Sequence, residues 1–415
     1  MSISIHCDYI PGQEDRSMKT KRLLASVKIR ISILLLINLV LAGIILSPQG
    51  PSLLDRLTAS DFMATDDFVE YWAAGRLTWA NENPYDLIKL KSIQERAGRF
   101  DGVPVVMWNP PWTMPICAPF NMLPYPQARL AWLLTSLMII CFCADWLWRY
   151  YDGPSQHRWI GPFIALAFAP SIMVLKSGQI GAWILLGCIC FLYFDKKRSY
   201  FFAGCAALLI SIKPHLCYLL FIAFIFWGIK EHKWSFFFGG ITAVLSSMII
   251  ILAANPQVLD YYYQATQSYP PTDWASPTIG GTLRWLMSGQ MFFLQFLPST
   301  IGFFWFVVYW IKRRYDWNWR EQMPLILMVS VLTASYGWPF DYVILIIPII
   351  QAVALALQVK TKKYSLIIIV VLLLATVLAL LPRNVFWLFW FCPLMFIWYV
   401  RSLALYTESR SLMNQ

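Results

Sequence analysis

Two adjacent carboxylates, Asp66 and Asp67, stand where the sequence predicts a helix to begin, and that placement gives them a possible chemistry. Thr65 can cap a helix starting at Asp66. Phe68, Tyr71, Trp72, Gly75 and Trp79 then recur at spacings of three and four, the pattern of an amphipathic helix lying along a membrane surface. A carboxylate in a first helical turn is favoured in its ionised form by the macrodipole and the free backbone N–H groups. Such a group is a competent base or cation ligand at neutral pH, although first-turn aspartates also serve ordinary helix stabilisation. Acid is concentrated around the pair: residues 48–110 hold nine of the 22 acidic residues.

The surrounding elements are those of a membrane protein. With 59% hydrophobic, 17% aromatic and 13% charged residues in 415, the chain has too few charges to cover a soluble globule of its size. Its net charge of +11 comes from Lys and Arg gathered in short clusters between apolar runs, so it marks topology and not nucleic acid. A phosphate-cradling loop of the G-x-x-x-x-G-K type is absent, which disfavours nucleotide as a direct substrate. Eight of the nine cysteines lie in or beside apolar runs and behave as small hydrophobes, so neither a disulfide framework nor a metal is expected.

Apolar runs near 31–47, 128–147, 159–175, 179–194, 199–212, 215–229, 234–254, 295–311, 323–338, 342–358, 364–381 and 385–401 predict an all-α polytopic protein of about twelve spans. An uncleaved first helix fits residues 31–47 better than a signal peptide, because no small-x-small cleavage site follows. The positive-inside rule places residues 1–30 and 402–415 as cytoplasmic tails of a 31–401 transmembrane domain. Residues 48–127 and 255–294 then form two long outer loops, with short outer turns near Lys176, Lys213, Asp341 and Arg383. The proline-rich stretch from Pro110 to Leu123 reads as a re-entrant or interfacial segment buried against protein.

The strings D-F-V-E-Y-W-A-A-G-R-L at 67–77, N-P-Y-D at 83–86, W-N-P-P at 108–111, G-Q-I at 178–180, I-K-P at 212–214 and W-P-F-D-Y at 338–342 together resemble glycosyltransferase family 87. That resemblance implies a GT-C-like bundle and a membrane enzyme in the plasma (inner) membrane, working on its outer face. The enzyme would move a hexose, typically mannose, from a polyprenyl-phosphate donor to a lipid- or glycan-linked acceptor hydroxyl. No cofactor is implied, and the partners are membrane lipids, the donor and a glycolipid or polysaccharide acceptor. The family's aspartate that opens the D-[FL]-x-x-Y motif acts as catalytic base and maps onto Asp67, with Asp66 as the alternative. Where family members often carry a histidine near the last motif, this chain has Asp341 and Tyr342.

An inverting transfer from a lipid phosphate needs a base, a positive site for the leaving phosphate and a groove for the isoprenoid. Lys213 and Arg284 are the candidate phosphate ligands. Tyr71, Trp72, Tyr85, Trp108, Asn109, Gln179, Asp341 and Tyr342 make up the candidate substrate-binding set, with Trp338 a further aromatic platform for pyranose C–H faces. Each also has a bland role. Lys213 would snorkel, Gln179 would satisfy backbone at a helix break, Asp341 would be a solvated helix end, and Tyr85-Asp86 would start a helix. The rivals from other classes are a polysaccharide polymerase or ligase and a lipid or glycan transporter. A transporter would be expected to show inverted repeats and mid-span charges.

Overall fold

The computed structural model describes residues 67–413 apart from 101, 273, 275, 288, 359–361 and 380–384, all of them within one compact unit. The first apolar run, Thr65 and Asp66 therefore lie outside the described residues. The described chain is all-helical. Its α-helices are α1 (Phe68–Trp79), α2 (Leu87–Arg96), α3 (Met114–Asn121), α4 (Tyr125–Tyr150), α5 (Ile160–Ala167), α6 (Ala169–Ser177), α7 (Gly181–Lys196), α8 (Tyr200–Ile210) and α9 (Tyr218–Lys230). They continue with α10 (Trp234–Ala254), α11 (Val258–Ser268), α12 (Ile279–Leu286), α13 (Leu297–Arg313), α14 (Trp319–Leu332), α15 (Ile346–Gln358), α16 (Lys362–Ala379) and α17 (Phe391–Met413).

Five helical segments are long and apolar enough to cross a bilayer: Tyr125–Tyr150, Trp234–Ala254, Phe292–Arg313, Pro339–Gln358 and Trp387–Glu408. A sixth forms if the pair ending in α5 and α6, bent by 57°, counts as one span. The chain is thus an integral membrane protein, and among the described residues its full-length spans are fewer than twelve apolar runs would give. The difference has physical causes. Pro170 lacks the N–H that a continuous helix would use, so the run at 159–175 breaks at Phe168, which is extended (φ −70°, ψ 122°). The runs at 199–212 and 215–229 fold as α8 and α9, which at 1.5 Å per residue reach roughly 16 and 20 Å, short of the roughly 30 Å of hydrocarbon. Between them, Lys213-Pro214 forms a turn in which Leu216 and Cys217 donate back to the carbonyls of Lys213 and Pro214.

Close helix packing fixes that turn. A Cβ on Gly204 of α8 would lie 1.9 Å from the Phe236 carbonyl oxygen, and one on Gly239 of α10 would lie 1.9 Å from that of Phe201. Only glycine lets these two backbones meet, the small-residue contact typical of helices in lipid. On the far side of the turn, Ser330 of α14 donates to Leu216 O at 2.8 Å.

Helix α1 departs from expectation. Ten of its twelve residues are buried, so it is a packed core helix and not a surface amphipathic one. Helix α2 is the two-faced one, with Leu90 and Gln94 buried. Asp86 caps it, accepting from Ile88 N and Lys89 N, which is the helix-start role foreseen for Tyr85-Asp86. Pro110–Leu123 makes a 3₁₀ turn at Pro111–Thr113 and the short α3, which packs on α1 and α4.

Candidate functional site

The turns at 176–179, 211–216 and 338–341 meet at one end of the bundle, against the start of α1. Gly178 ends α6 in the left-handed conformation (φ +72°), and a Cβ there would stand 2.6 Å from Phe68 Cβ, so the D-F-V-E-Y helix rests on this glycine. Arg129 of α4 seals the same junction. Its guanidinium donates to the carbonyls of Leu175 and Lys176, two acceptors left open at the C-terminus of α6. Trp132 Nε1 donates to Gly178 O at 2.8 Å. Neither Arg129 nor Trp132 stands in a motif of the sequence, and the only signal available was an arginine inside an otherwise apolar run.

Gln179, delivered by that glycine turn, accepts two hydrogen bonds at Oε1, from Tyr71 Oη at 2.8 Å and from Lys213 Nζ at 3.0 Å. Its side chain is therefore part of a side-chain network and does not serve backbone at a helix break. Lys213 also donates to Asp341 Oδ1 at 2.7 Å and lies 5.0 Å from the centre of the Phe340 ring. Asp341 is 1% exposed, which excludes the solvated helix end; its other oxygen accepts from Trp338 N at 2.9 Å and caps its own 3₁₀ turn. Lys213 has three N–H donors, and among the described residues two are engaged.

Asp67 occupies the N-cap of α1, one residue before the described helix, so the expected start at Asp66 moves by two. It has helical torsions, and its side chain makes no capping bond to its own helix. One turn on, Glu70 points into the same region. The sequence placed it only among the loop acids, yet it is 7% exposed and within electrostatic reach of Asp67, Lys213, Arg99 and Tyr71. Burial, with the Asp67 charge adding to it, pushes the Glu70 carboxyl up to about 8, and Lys213 offsets only part of this. Burial and the neighbouring Glu70 likewise hold the Tyr71 phenol protonated.

W-N-P-P docks beside the lysine turn. Asn109 Nδ2 donates to Ile212 O at 3.1 Å and Trp112 Nε1 to Ser211 Oγ at 3.0 Å. Trp108 is half-buried and meets Tyr269 edge-on at 5.8 Å. The second long loop clasps the first through Asn255 Nδ2 to Glu82 O (2.8 Å), Tyr262 Oη to Trp108 O (3.3 Å) and Tyr269 Oη to Tyr85 O. His215 lies within electrostatic reach of Asp341 and Lys213, its ring 6.4 Å from that of Tyr336.

Other candidates stand apart. Trp72 is buried against Tyr125 with its N–H on Leu123 O at 3.0 Å, so it packs α1 and offers no open face. Tyr85 is enclosed beside Tyr262, and Tyr342 stacks on Phe391 at 6.1 Å inside the core. Arg284 spends its guanidinium on Gly289 O, Thr272 O and Gln295 Oε1, stacked over Phe292, and has no contact with Lys213.

The first, second and last motifs lie outside the stretch matched by a family model, residues 108–335, described as glycosyltransferase family 87. No curated protein and no solved structure matches the chain. The matched stretch exceeds half of the 415 residues and contains W-N-P-P, G-Q-I and I-K-P, the segments that the fold gathers at Gln179 and Lys213, and on that basis the chain belongs to glycosyltransferase family 87.

Proposed function

We propose that this glycosyltransferase takes a hexose, mannose by family habit, from a polyprenyl-phosphate donor and places it on a hydroxyl of a lipid- or glycan-linked acceptor at the outer face of the membrane. One observation carries the reading: an ammonium held by Asp341 and Gln179, with one N–H unengaged among the described residues, lies in the same cluster as the carboxyls that open α1.

In this mechanism Asp67 removes the acceptor O–H proton and the freed oxygen attacks the anomeric carbon from the side opposite the phosphate. The anomeric C–O bond to phosphate breaks, its electron pair stays on the phosphate, and the configuration inverts. Lys213 meets the charge that develops on the departing oxygen, while Asp341 and Gln179 keep the ammonium aimed. Trp108 and Trp338, both half-buried, are the aromatic faces available to a sugar. Arg284 is a loop-ordering residue here rather than a phosphate ligand. Outer-face orientation rests on the basic clusters at the opposite ends of the spans.

The test is transfer of labelled sugar from a panel of polyprenyl-phosphate sugars, in membranes holding wild type, Asp67→Asn or Asp66→Asn. Wild type consumes one donor, and Asp67→Asn loses at least about a hundredfold, within the range for removal of a general base. Consumption of no donor refutes the donor class. Loss in Asp66→Asn with full activity in Asp67→Asn reassigns the base.

A further inference from the structure

Gln295 is fully buried and joins two segments that carry aromatic residues toward the lysine turn. Its Oε1 accepts from Arg284 of α12 at 3.0 Å, and its Nε2 donates to Ser335 O at 3.0 Å. Arg284 also donates to Thr272 O at 2.5 Å, two residues before Trp274. Two residues after Trp274, Ser276 is buried with its Oγ 3.3 Å from Thr278 Oγ1, which donates to Ser335 O at 3.3 Å. Gly337 closes the junction, because a Cβ there would stand 3.3 Å from Leu216 Cδ2 of the lysine turn and 3.3 Å from Thr278 Cγ2. Thr272 and Ser276, on either side of Trp274, are thus fastened to the segment that leads into Trp338.

The rings meet accordingly. Trp274 lies edge-on to Trp338, with centroids 6.4 Å apart and planes at 70°, and Trp338 stacks on Phe340 at 6.3 Å and 21°. Phe340 ends the row beside the ammonium, its ring 5.0 Å from Lys213 Nζ. Trp274 is exposed and Trp338 half-buried. Neither indole N–H has an acceptor among the described residues, whereas Trp72, Trp112, Trp132 and Trp148 donate theirs to protein. An anchor in an interfacial aromatic belt needs neither an Arg–Gln clamp nor a second ring beside it. Open aromatic faces with unengaged N–H donors match a pyranose, which offers C–H groups on a face and hydroxyls at its rim. A prenyl or acyl chain makes no hydrogen bond and has no use for those donors.

Resting on the reading of Lys213 as the ligand of the donor phosphate, we propose that Trp338 and Trp274 are consecutive acceptor subsites and that the acceptor is a saccharide of at least two sugars. The sugar that receives the hexose lies on Trp338, nearer to Lys213 along the row, and the sugar before it lies on Trp274. Trp274 is a specificity-determining residue: it selects for the second sugar and takes no part in the transfer itself.

The experiment measures binding, not transfer, on the full chain in nanodiscs with empty nanodiscs as the blank. Methyl glycosides of mannose, glucose and galactose, each as mono- and disaccharide, are titrated by saturation-transfer NMR. In wild type one disaccharide binds about tenfold tighter than its monosaccharide, the worth of one further ring contact. Trp274→Ala removes that advantage and leaves the monosaccharide unchanged, Trp274→Phe, which keeps a flat face, retains most of it, and Trp338→Ala weakens both sugars together. An undiminished disaccharide advantage in Trp274→Ala overturns the proposal, and so does loss of the disaccharide alone in Trp338→Ala or the absence of binding by every one of these glycosides. Glycoside binding as expected in a protein that consumes no polyprenyl-phosphate sugar would instead leave the two subsites as assigned and refute the donor reading.

Discussion

Removing the Lys213 charge of the Lys213–Asp341 pair should cost more than removing both charges, and the two single losses together well over the double one. In Lys213→Met the Asp341 carboxylate, 1% exposed, keeps among the described residues only the Trp338 N–H as a partner. Leaving a buried charge uncompensated costs about 3–5 kcal/mol. In Asp341→Asn the amide oxygen can still accept from Trp338, and Lys213, whose side chain is 12% exposed, keeps its bond to Gln179. A lost hydrogen bond to a charged group puts that variant near 2–3 kcal/mol. The double variant carries no stranded charge, so its cost should stay near 2–4 kcal/mol, giving a coupling energy of about 2–4 kcal/mol. Equilibrium unfolding in mixed micelles of the four proteins reads this cycle directly. The exposed i,i+4 pair Lys91–Glu95, 3.9 Å apart, serves as an internal reference, with an expected coupling below about 0.5 kcal/mol. Additivity at Lys213 and Asp341 within about 0.5 kcal/mol would refute the argument, because the pair would then behave as a solvent-screened contact.

Two further variants separate support from chemistry. Gly178→Ala combines a left-handed φ with a Cβ 2.6 Å from Phe68 Cβ, so thermal unfolding should show a loss of about 2–4 kcal/mol. Transfer should fall with it, since Gln179 and α1 move together; a loss under about 0.5 kcal/mol contradicts the packing described. Trp72→Phe deletes the bond to Leu123 O and should cost about 1 kcal/mol of stability with donor and acceptor KM unchanged. A tenfold rise in either KM would return Trp72 to the sugar site.

Much of the site was legible because its motifs are short, polar and interrupt apolar runs. I-K-P and W-P-F-D-Y each place one charge in such an interruption, and the fold joins those charges at Lys213 and Asp341. Pairing across 128 residues is a tertiary fact, however, and no periodicity encodes it. Glu70 escaped because a carboxylate in a loop-like, acid-rich segment reads as solvated. Its significance comes from α3 and α4 covering a helix whose far side, Ala73, Ala74 and Leu77, is apolar enough to be buried. Trp72 misled for the opposite reason: an aromatic next to a motif tyrosine invites a stacking role, but successive residues on a helix point about 100° apart, and this one faces Tyr125. Hydropathy marks apolar runs without a length scale: among the described residues Pro170 breaks the run at 159–175 into α5 and α6, and the runs on either side of Pro214 fold as α8 and α9, which are short for a bilayer.

The clasp between the two long loops bears on how such a protein tolerates change. Asn255, Tyr262 and Tyr269 address the carbonyls of Glu82, Trp108 and Tyr85, so their hydrogen bonds grip the main chain of the first loop, while the rings of Tyr262 and Tyr269 pack on those of Tyr85 and Trp108. Of the three gripped positions only Glu82 can change its side chain without touching the clasp, whereas Tyr85, Trp108 and the three gripping residues are held by it. A first loop grafted from a divergent family member should therefore seat in this scaffold provided its length and turns match and it keeps the two aromatic rings, and on the proposed reading its share of acceptor preference would then move with the loop while the lysine turn beneath stays the same.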